Sequence, residues 1–241
     1  MTELSMPDKS VKKFYPDGTS KVYRGHSVIS PLPRDSPLRT TLNEVYDALS
    51  NHDLREDLFP EEALLPPDSW HMTVFIGIRD LERGANVMPG DGHADYIKKE
   101  WGLNGSYEQW LDYTKAQLES QGGLSFKAAP PYELKVEKDI DQIVYHIAIP
   151  LDPTPETWAK LTNARNQLSD QTGIRFPNHD TPRFHITMAY LVRGPEYDEA
   201  TELKELVDDI LVEAPDTVEF PSVGLHSFED MQSFKLEVDL S

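Results

Sequence analysis

The chain of 241 residues contains no cysteine, which excludes disulfides, thiol nucleophiles and thiolate metal sites and fits a reducing compartment. It has no run of about 18 apolar residues, so no membrane-spanning helix is expected. Residues 1–13 lack the apolar core of a secretory leader. Together these absences predict a cytoplasmic protein. Basic residues are scarce as well: 23 Lys and Arg stand against 42 Asp and Glu, for a net charge of −19. Such a surface repels long polyanions and anionic membranes unless a local basic cleft overrides the field, and leaves room for a small phosphorylated ligand. Neither His-x-His nor His-Glu-x-x-His occurs, so no metal site and no cofactor is expected.

What is present is a pattern that occurs twice. Trp70-His71-Met72-Thr73-Val74-Phe75 returns 114 positions later as Phe184-His185-Ile186-Thr187-Met188-Ala189. Read as strands with a period of two, the first copy puts Trp70, Met72, Val74, Ile76 and Ile78 on one face and His71, Thr73 and Phe75 on the other. The second puts Phe184, Ile186, Met188, Tyr190 and Val192 toward a core, with Arg183, His185, Thr187 and Ala189 facing away. Each strand thus presents an imidazole and a hydroxyl side by side. One His-x-Thr is a weak signal, and a lone strand histidine is more often structural; two copies in matched contexts point to chemistry.

The flanks repeat too. Residues 1–24 are polar, with Pro7, Pro16 and Gly18, and read as a loose arm ending in a hairpin or turn. In the first half come a strand over 26–30 and a helix capped by Ser36 with Pro37 at its first position. Leu38, Leu42, Val45 and Leu49 form its apolar stripe. A loop over 79–92, helices over 93–100 and 106–119, and a strand over 124–137 broken at Pro130-Pro131 follow the first motif. In the second half come a strand over 143–149 ended by Pro150, a Thr154-Pro155 helix start, and a stripe of Trp158, Leu161, Ala164 and Leu168. A helix marked by Leu203, Leu206, Val207, Ile210 and Leu211 and strands over 218–226 and 234–240 close the chain. From cap to histidine is 35 residues in one half and 31 in the other. The duplication predicts an α+β fold of two lobes related by a pseudo-twofold axis, each an antiparallel-rich sheet packed with helices, with a central cleft. Residues 25–241 then form one bilobal domain behind the 1–24 arm, with repeats over about 25–137 and 142–240.

If the axis runs between the His/Thr strands, His71 and His185 face one cleft. A neutral imidazole can take a proton from an attacking oxygen while a charged one gives a proton to a leaving oxygen. Thr73 and Thr187 could hold the non-bridging oxygens between them, as an in-line displacement at phosphorus requires. The residues alone therefore name hydrolysis or transesterification of a phosphodiester.

The motifs His71-Met72-Thr73-Val74 and His185-Ile186-Thr187-Met188 resemble the paired His-x-Thr/Ser-x signature of the 2H phosphoesterase superfamily, which includes cyclic nucleotide phosphodiesterases and RNA 2′,3′-cyclic phosphodiesterase-like proteins. The resemblance covers roughly residues 25–240. It implies a bilobal fold, catalytic His71 and His185, phosphate-holding Thr73 and Thr187, and a small nucleotide or phosphodiester as partner. The long segment between the motifs and the acidic surface depart from the small RNA-processing members. Two further substrate-binding candidates share the strand parity of the histidines: Arg183, which could pair with phosphate, and Phe75, which could stack on a base or pack under the other lobe. His146, Tyr145 and His26 read as structural, and His52, His93, His179 and His226 as surface or loop residues. The alternatives are a non-catalytic phosphate- or nucleotide-binding module of the same fold and, with less support, a metal hydrolase or a polymer-tracking RNA enzyme.

Overall fold

The computed structural model describes residues 5–79, 106–119, 128–176 and 178–241. Of the expectations above, residues 80–92 of the first loop, the helix over 93–100, His93 and the start of the 124–137 strand lie outside these.

Among the described residues eight strands build two sheets: β1 (Gly25–Pro31), β2 (His71–Arg79), β3 (Tyr132–Val136), β4 (His146–Pro153), β5 (Phe184–Tyr190), β6 (Thr217–Phe220), β7 (Gly224–Phe228) and β8 (Lys235–Asp239). The order is β2-β1-β7-β8 in one sheet and β5-β4-β3-β6 in the other, with every pairing antiparallel. The α+β, bilobal expectation holds, and the internal symmetry is visible in the registers. Pro31 of β1 sits opposite His71, and Pro150 of β4 sits opposite His185. Among the described residues each His/Thr strand is the edge of its sheet, and the two edges lie against each other. A bridge between Leu64 and Ala189 and a 2.8 Å bond from Leu65 N to Met188 O tie the lobes at that seam.

Sheet membership does not follow chain order. The single strand expected over 218–226 is two, β6 and β7, which lie in different sheets. Between them stands Pro221, which has no N–H for a ladder and interrupts the pairing. The closing β7–β8 hairpin therefore returns to the lobe of β1 and β2. β4 also departs from expectation: it begins at His146 and runs through Pro150 to Pro153. Leu236 is 54% exposed because β8 is an outer strand.

The helices are α1 (Asp8–Val11), α2 (Pro37–Ser50), α3 (Arg55–Leu58), α4 (Tyr107–Glu119), α5 (Pro155–Thr172) and α6 (Tyr197–Leu211). In α2 the four stripe residues Leu38, Leu42, Val45 and Leu49 are fully buried; Ser36 precedes it without a side-chain cap bond, so the helix starts on Pro37 alone. In α5 the Thr154 hydroxyl accepts from Thr157 N at 3.2 Å, and the helix stops at Gly173 in the left-handed region. Leu161, Ala164 and Leu168 bury as expected, but Trp158 stays 39% exposed and Arg165 goes inside instead. No helix among the described residues is long and apolar enough to cross a membrane.

Residues 5–24 are not a loose arm. The chain turns where Phe14 bridges Ser20, and Gly18 holds φ +85° with its α-carbon so close to the neighbouring segment that a Cβ would meet Pro60 O at 2.1 Å. Phe14 is fully buried and Tyr23 nearly so, which at roughly 1.5–3 kcal/mol for a buried aromatic pins the segment down. On one side Gly194 N donates to Ser5 O; on the other Tyr23 N donates to Glu229 O. The segment thus straddles both lobes.

Candidate active site

The period of two holds in each motif only as far as the threonine. Val28 pairs with Phe75 and Ile29 with Thr73, which leaves Val74 without an opposite number. On the other strand Ile147 pairs with Ala189 and Ala148 with Thr187, which leaves out Met188. The same bulge occurs at the same place in both copies, and an extra residue reverses the parity of everything after it. His71, Thr73 and Ile76 are therefore half-buried on one face, as are His185, Thr187 and Tyr190. Two expectations are corrected for this reason. Phe75 leaves the histidine face, is 3% exposed and packs its ring edge-on to His179 at 6.2 Å. Tyr190, expected in the core, joins His185 and Thr187, and its phenol interacts with the Thr187 hydroxyl.

Both imidazoles are fixed in the same way. His71 Nδ1 lies 2.7 Å from Ser69 O, and His185 Nδ1 lies 3.0 Å from Arg183 O. A carbonyl can only accept, so Nδ1 carries the proton and Nε2 of the neutral ring is left as an acceptor. The two rings share one electrostatic environment: charge on His185, on His226 and on Lys13 each disfavours protonation of His71. His146 lies in the same group, its ring 5.5 Å from His185 and stacked on Tyr145 at 4.1 Å. On the other side Phe234 meets His71 edge-on at 4.3 Å. Burial, the largest cause in each case, pushes His71 down to about 4 and His146 down to about 3, and lowers His185 as well.

These shifts bear on stability. Fully buried His26, with Nε2 3.1 Å from the Thr114 hydroxyl, is also pushed down to about 4 by burial. An unfolded histidine takes its proton near 6.5 while the folded one resists it, so stability is complete above 6.5 and drains away as pH falls toward 4. At about 1.4 kcal/mol per pH unit, His26 alone costs roughly 3 kcal/mol at the acid end. Tm is expected to be level from pH 8 to 6.5 and to fall steadily below; a Tm unchanged down to pH 4.5 would contradict the burial of these rings as neutral groups.

The remaining candidates fall at the rim or in the core. Arg183 is exposed and ion-paired with Asp141 at 3.0 Å. It edges a cavity of about 440 Å³ beside His185 that Tyr145, His146, Trp158 and Phe184 also line. His179 and His226, read as surface residues, are buried: His179 Nε2 meets Asn166 Oδ1 at 3.0 Å, and His226 Nδ1 meets Gly224 O at 3.0 Å. His52 is mostly buried, 3.5 Å from Glu202. The sequence reading missed Tyr190, the closeness of His146 to His185, and two lysines, Lys9 and Lys13. The lysines sit in a polar segment with no periodicity, so no sequence signal marks them.

Comparison with known proteins matches part of the chain to a family model. The matching family model is 2H-phosphodiest, described as a domain of unknown function (DUF1868), over residues 13–100. Among solved structures, a conserved protein of unknown function from Agrobacterium tumefaciens str. C58 superposes with a TM-score of 0.79 at 21% identity, over 98% of this chain and 94% of that one. That likeness establishes the fold. A structure described as a phosphoesterase aligns at TM-score 0.43 and 13% identity, over 90% of this chain and 96% of that one. E. coli LigT complexed with phosphate aligns at 0.40 and 12%, over 91% and 97%. No curated protein matches. Residues 13–100, the stretch that contains His71 and Thr73, match the 2H-phosphodiest family model; the second motif, at His185 and Thr187, lies beyond the matched residues.

Proposed function

We propose that the protein is a metal-independent phosphodiesterase that hydrolyses a small 2′,3′-cyclic or related nucleotide phosphodiester, with His71 and His185 as paired general acid and base. One observation carries the reading: two imidazoles on abutting edge strands of two lobes, each tied by Nδ1 to the carbonyl two residues back and each followed two residues on by a threonine on the same face. In the reaction, water attacks phosphorus as one Nε2 takes its proton. The other imidazole, protonated, gives a proton to the departing ribose oxygen, and the pair ends with its charge exchanged. Thr73 and Thr187 donate to the equatorial oxygens, where charge accumulates.

Because the free imidazoles are held below their ordinary value, one of them must take up a proton as the anionic substrate binds; the phosphate's charge favours that step. The kcat/KM profile is expected to be bell-shaped with its maximum on the acid side of neutrality and to decline as pH rises through neutrality. A profile flat from pH 5 to 8 would contradict paired acid/base work. Activity is expected to survive a chelator, and its loss would favour the metal hydrolase.

The direct experiment is turnover on a panel of 2′,3′-cyclic nucleotides and cyclic-ended oligonucleotides. Hydrolysis that His71→Ala or His185→Ala abolishes supports the proposal, and no turnover on any member overturns it. One feature favours the alternative of a non-catalytic nucleotide-binding module, namely that neither imidazole is charged at neutral pH before a ligand arrives. Binding without turnover that persists in the alanine variants would establish that alternative.

A further inference from the structure

We propose that the segment ahead of β1 forms part of the active site, with Lys13 as the cation that receives the substrate's phosphate and Lys9 as an outer contact beside it. The identity of the anion rests on the phosphodiesterase reading above; the assignment of the lysines rests on geometry.

Lys13 Nζ donates to Tyr190 Oη at 2.5 Å and lies 3.9 Å from the centre of that ring. Tyr190 is the residue that the bulge swings onto the face of His185 and Thr187. Lys9 Nζ donates to Tyr145 Oη at 2.6 Å and sits 4.0 Å over its ring. Tyr145 in turn stacks on His146, the neighbour of His185. Lys13 is thus one side chain away from Thr187 and Lys9 two away from His185, and the charge of Lys13 acts on His71, His146 and His185 alike.

Among the described residues neither lysine makes an ion pair, and the charges that act on Lys13 come from Tyr23, Arg79 and Lys9, with no carboxylate. In a chain of net charge −19, Lys9, Lys13 and Arg79 gather beside the motif residues against the surrounding field, while Asp141, the carboxylate that acts on His185, is ion-paired with Arg183. A dehydrated ammonium without a counter-ion is costly, and an anion entering the cleft removes that cost. The cation is also preorganised. Phe14, next to Lys13, is fully buried, and Tyr23 stacks on Phe228 at 6.4 Å, so little ordering remains to be done when phosphate binds.

The charge state of Lys13 makes this testable without turnover. Burial holds Lys13 down to about 8, so a phosphate that needs the ammonium binds more weakly as pH rises through that value. Tyr23, Arg79 and Lys9 also face it; of the site's other groups, His71, His146 and His185 lie below 6.5 and Tyr190 is pushed up to about 12.

The experiment is calorimetric titration of the full chain with inorganic phosphate, already a dianion above pH 8. For wild type the Kd should weaken above pH 8 by up to tenfold per unit, one proton being linked to binding. Lys13→Met should weaken binding by about ten- to a hundredfold at pH 7.5 and flatten that slope, while Lys13→Arg should stay within about threefold and keep its affinity to pH 9.5. A wild-type Kd that is flat from pH 7.5 to 9.5, no saturable binding at all, or a folded Lys13→Met within twofold of wild type overturns the proposal. If Lys13→Met does not fold, the wild-type slope decides alone. The two readings separate cleanly. Lys13-dependent phosphate affinity in a protein that turns over no diester leaves the site standing and removes the enzyme; turnover with Lys13-independent affinity does the reverse.

Discussion

Replacing either motif histidine by alanine is expected to lower turnover of a 2′,3′-cyclic nucleotide by about two to four orders of magnitude, the usual worth of a positioned general acid or base. The double variant should be little worse than the poorer single one, because the two rings act on one displacement and their effects do not add. Both rings are half-buried, and each makes its Nδ1 bond to a carbonyl only two residues away. The variants should therefore fold with nearly wild-type Tm, which separates lost chemistry from lost structure. Steady-state kinetics on purified protein reads this directly; a single variant that retains more than a tenth of wild-type kcat/KM would remove that histidine from the mechanism.

Removing the guanidinium of Arg165 should produce the largest loss of stability from a single polar substitution. Arg165 leaves α5 at 6% exposure and crosses to the other lobe, where Nη1 donates to Val74 O at 2.6 Å. Its Nη2 and Nε meet His179 O at 2.8 and 3.3 Å. Val74 is the unpaired residue of the β2 bulge, so this bond fixes the local geometry that turns His71, Thr73 and Ile76 to one face. Burial pushes the guanidinium down to about 10, a sign of how little water reaches it. Arg165→Met keeps the volume and strands two buried carbonyls, at about 1–3 kcal/mol each. For a chain of this size that corresponds to a Tm lower by roughly 5–15 °C. Arg165→Lys should recover only part of it, since one ammonium does not reproduce a planar fork. A fall of less than 2 °C for Arg165→Met would show that the lobes are held elsewhere. Turnover should fall along with stability, through the bulge rather than through contact with substrate.

The contrast between α2 and α5 shows what the sequence makes legible. In α2 a proline at the first turn and four aliphatics at helical spacing are local facts, and all four bury. In α5 the same rule predicts Trp158 inside, yet Arg165 is the residue that buries, because its acceptors belong to Val74 and His179 and exist only once the lobes have met. The His/Thr pairs were readable because alternation holds from His71 to Thr73 and from His185 to Thr187. It fails one residue later, and an unpaired residue in a strand leaves no mark in composition or periodicity. Phe75 and Tyr190 exchange roles for that reason alone. Residues 5–24 were illegible for a different one: Phe14, Tyr23 and the two lysines follow neither a helical nor a strand period, and their positions come from docking across both lobes rather than from any local pattern. The return of β7–β8 to the first sheet is equally non-local; Pro221 marks a break and does not say which sheet the chain joins next.

The central claim is that two imidazoles 114 positions apart in sequence address one phosphorus atom. Nitrogen NMR of histidine-labelled protein during titration with inorganic phosphate tests it most directly. The expected result is that the Nε2 signals of His71 and His185 move together, with one Kd and one phosphate per chain, and that at least one ring gains a proton as the site fills. Movement of one signal without the other, or two separate constants, would contradict it.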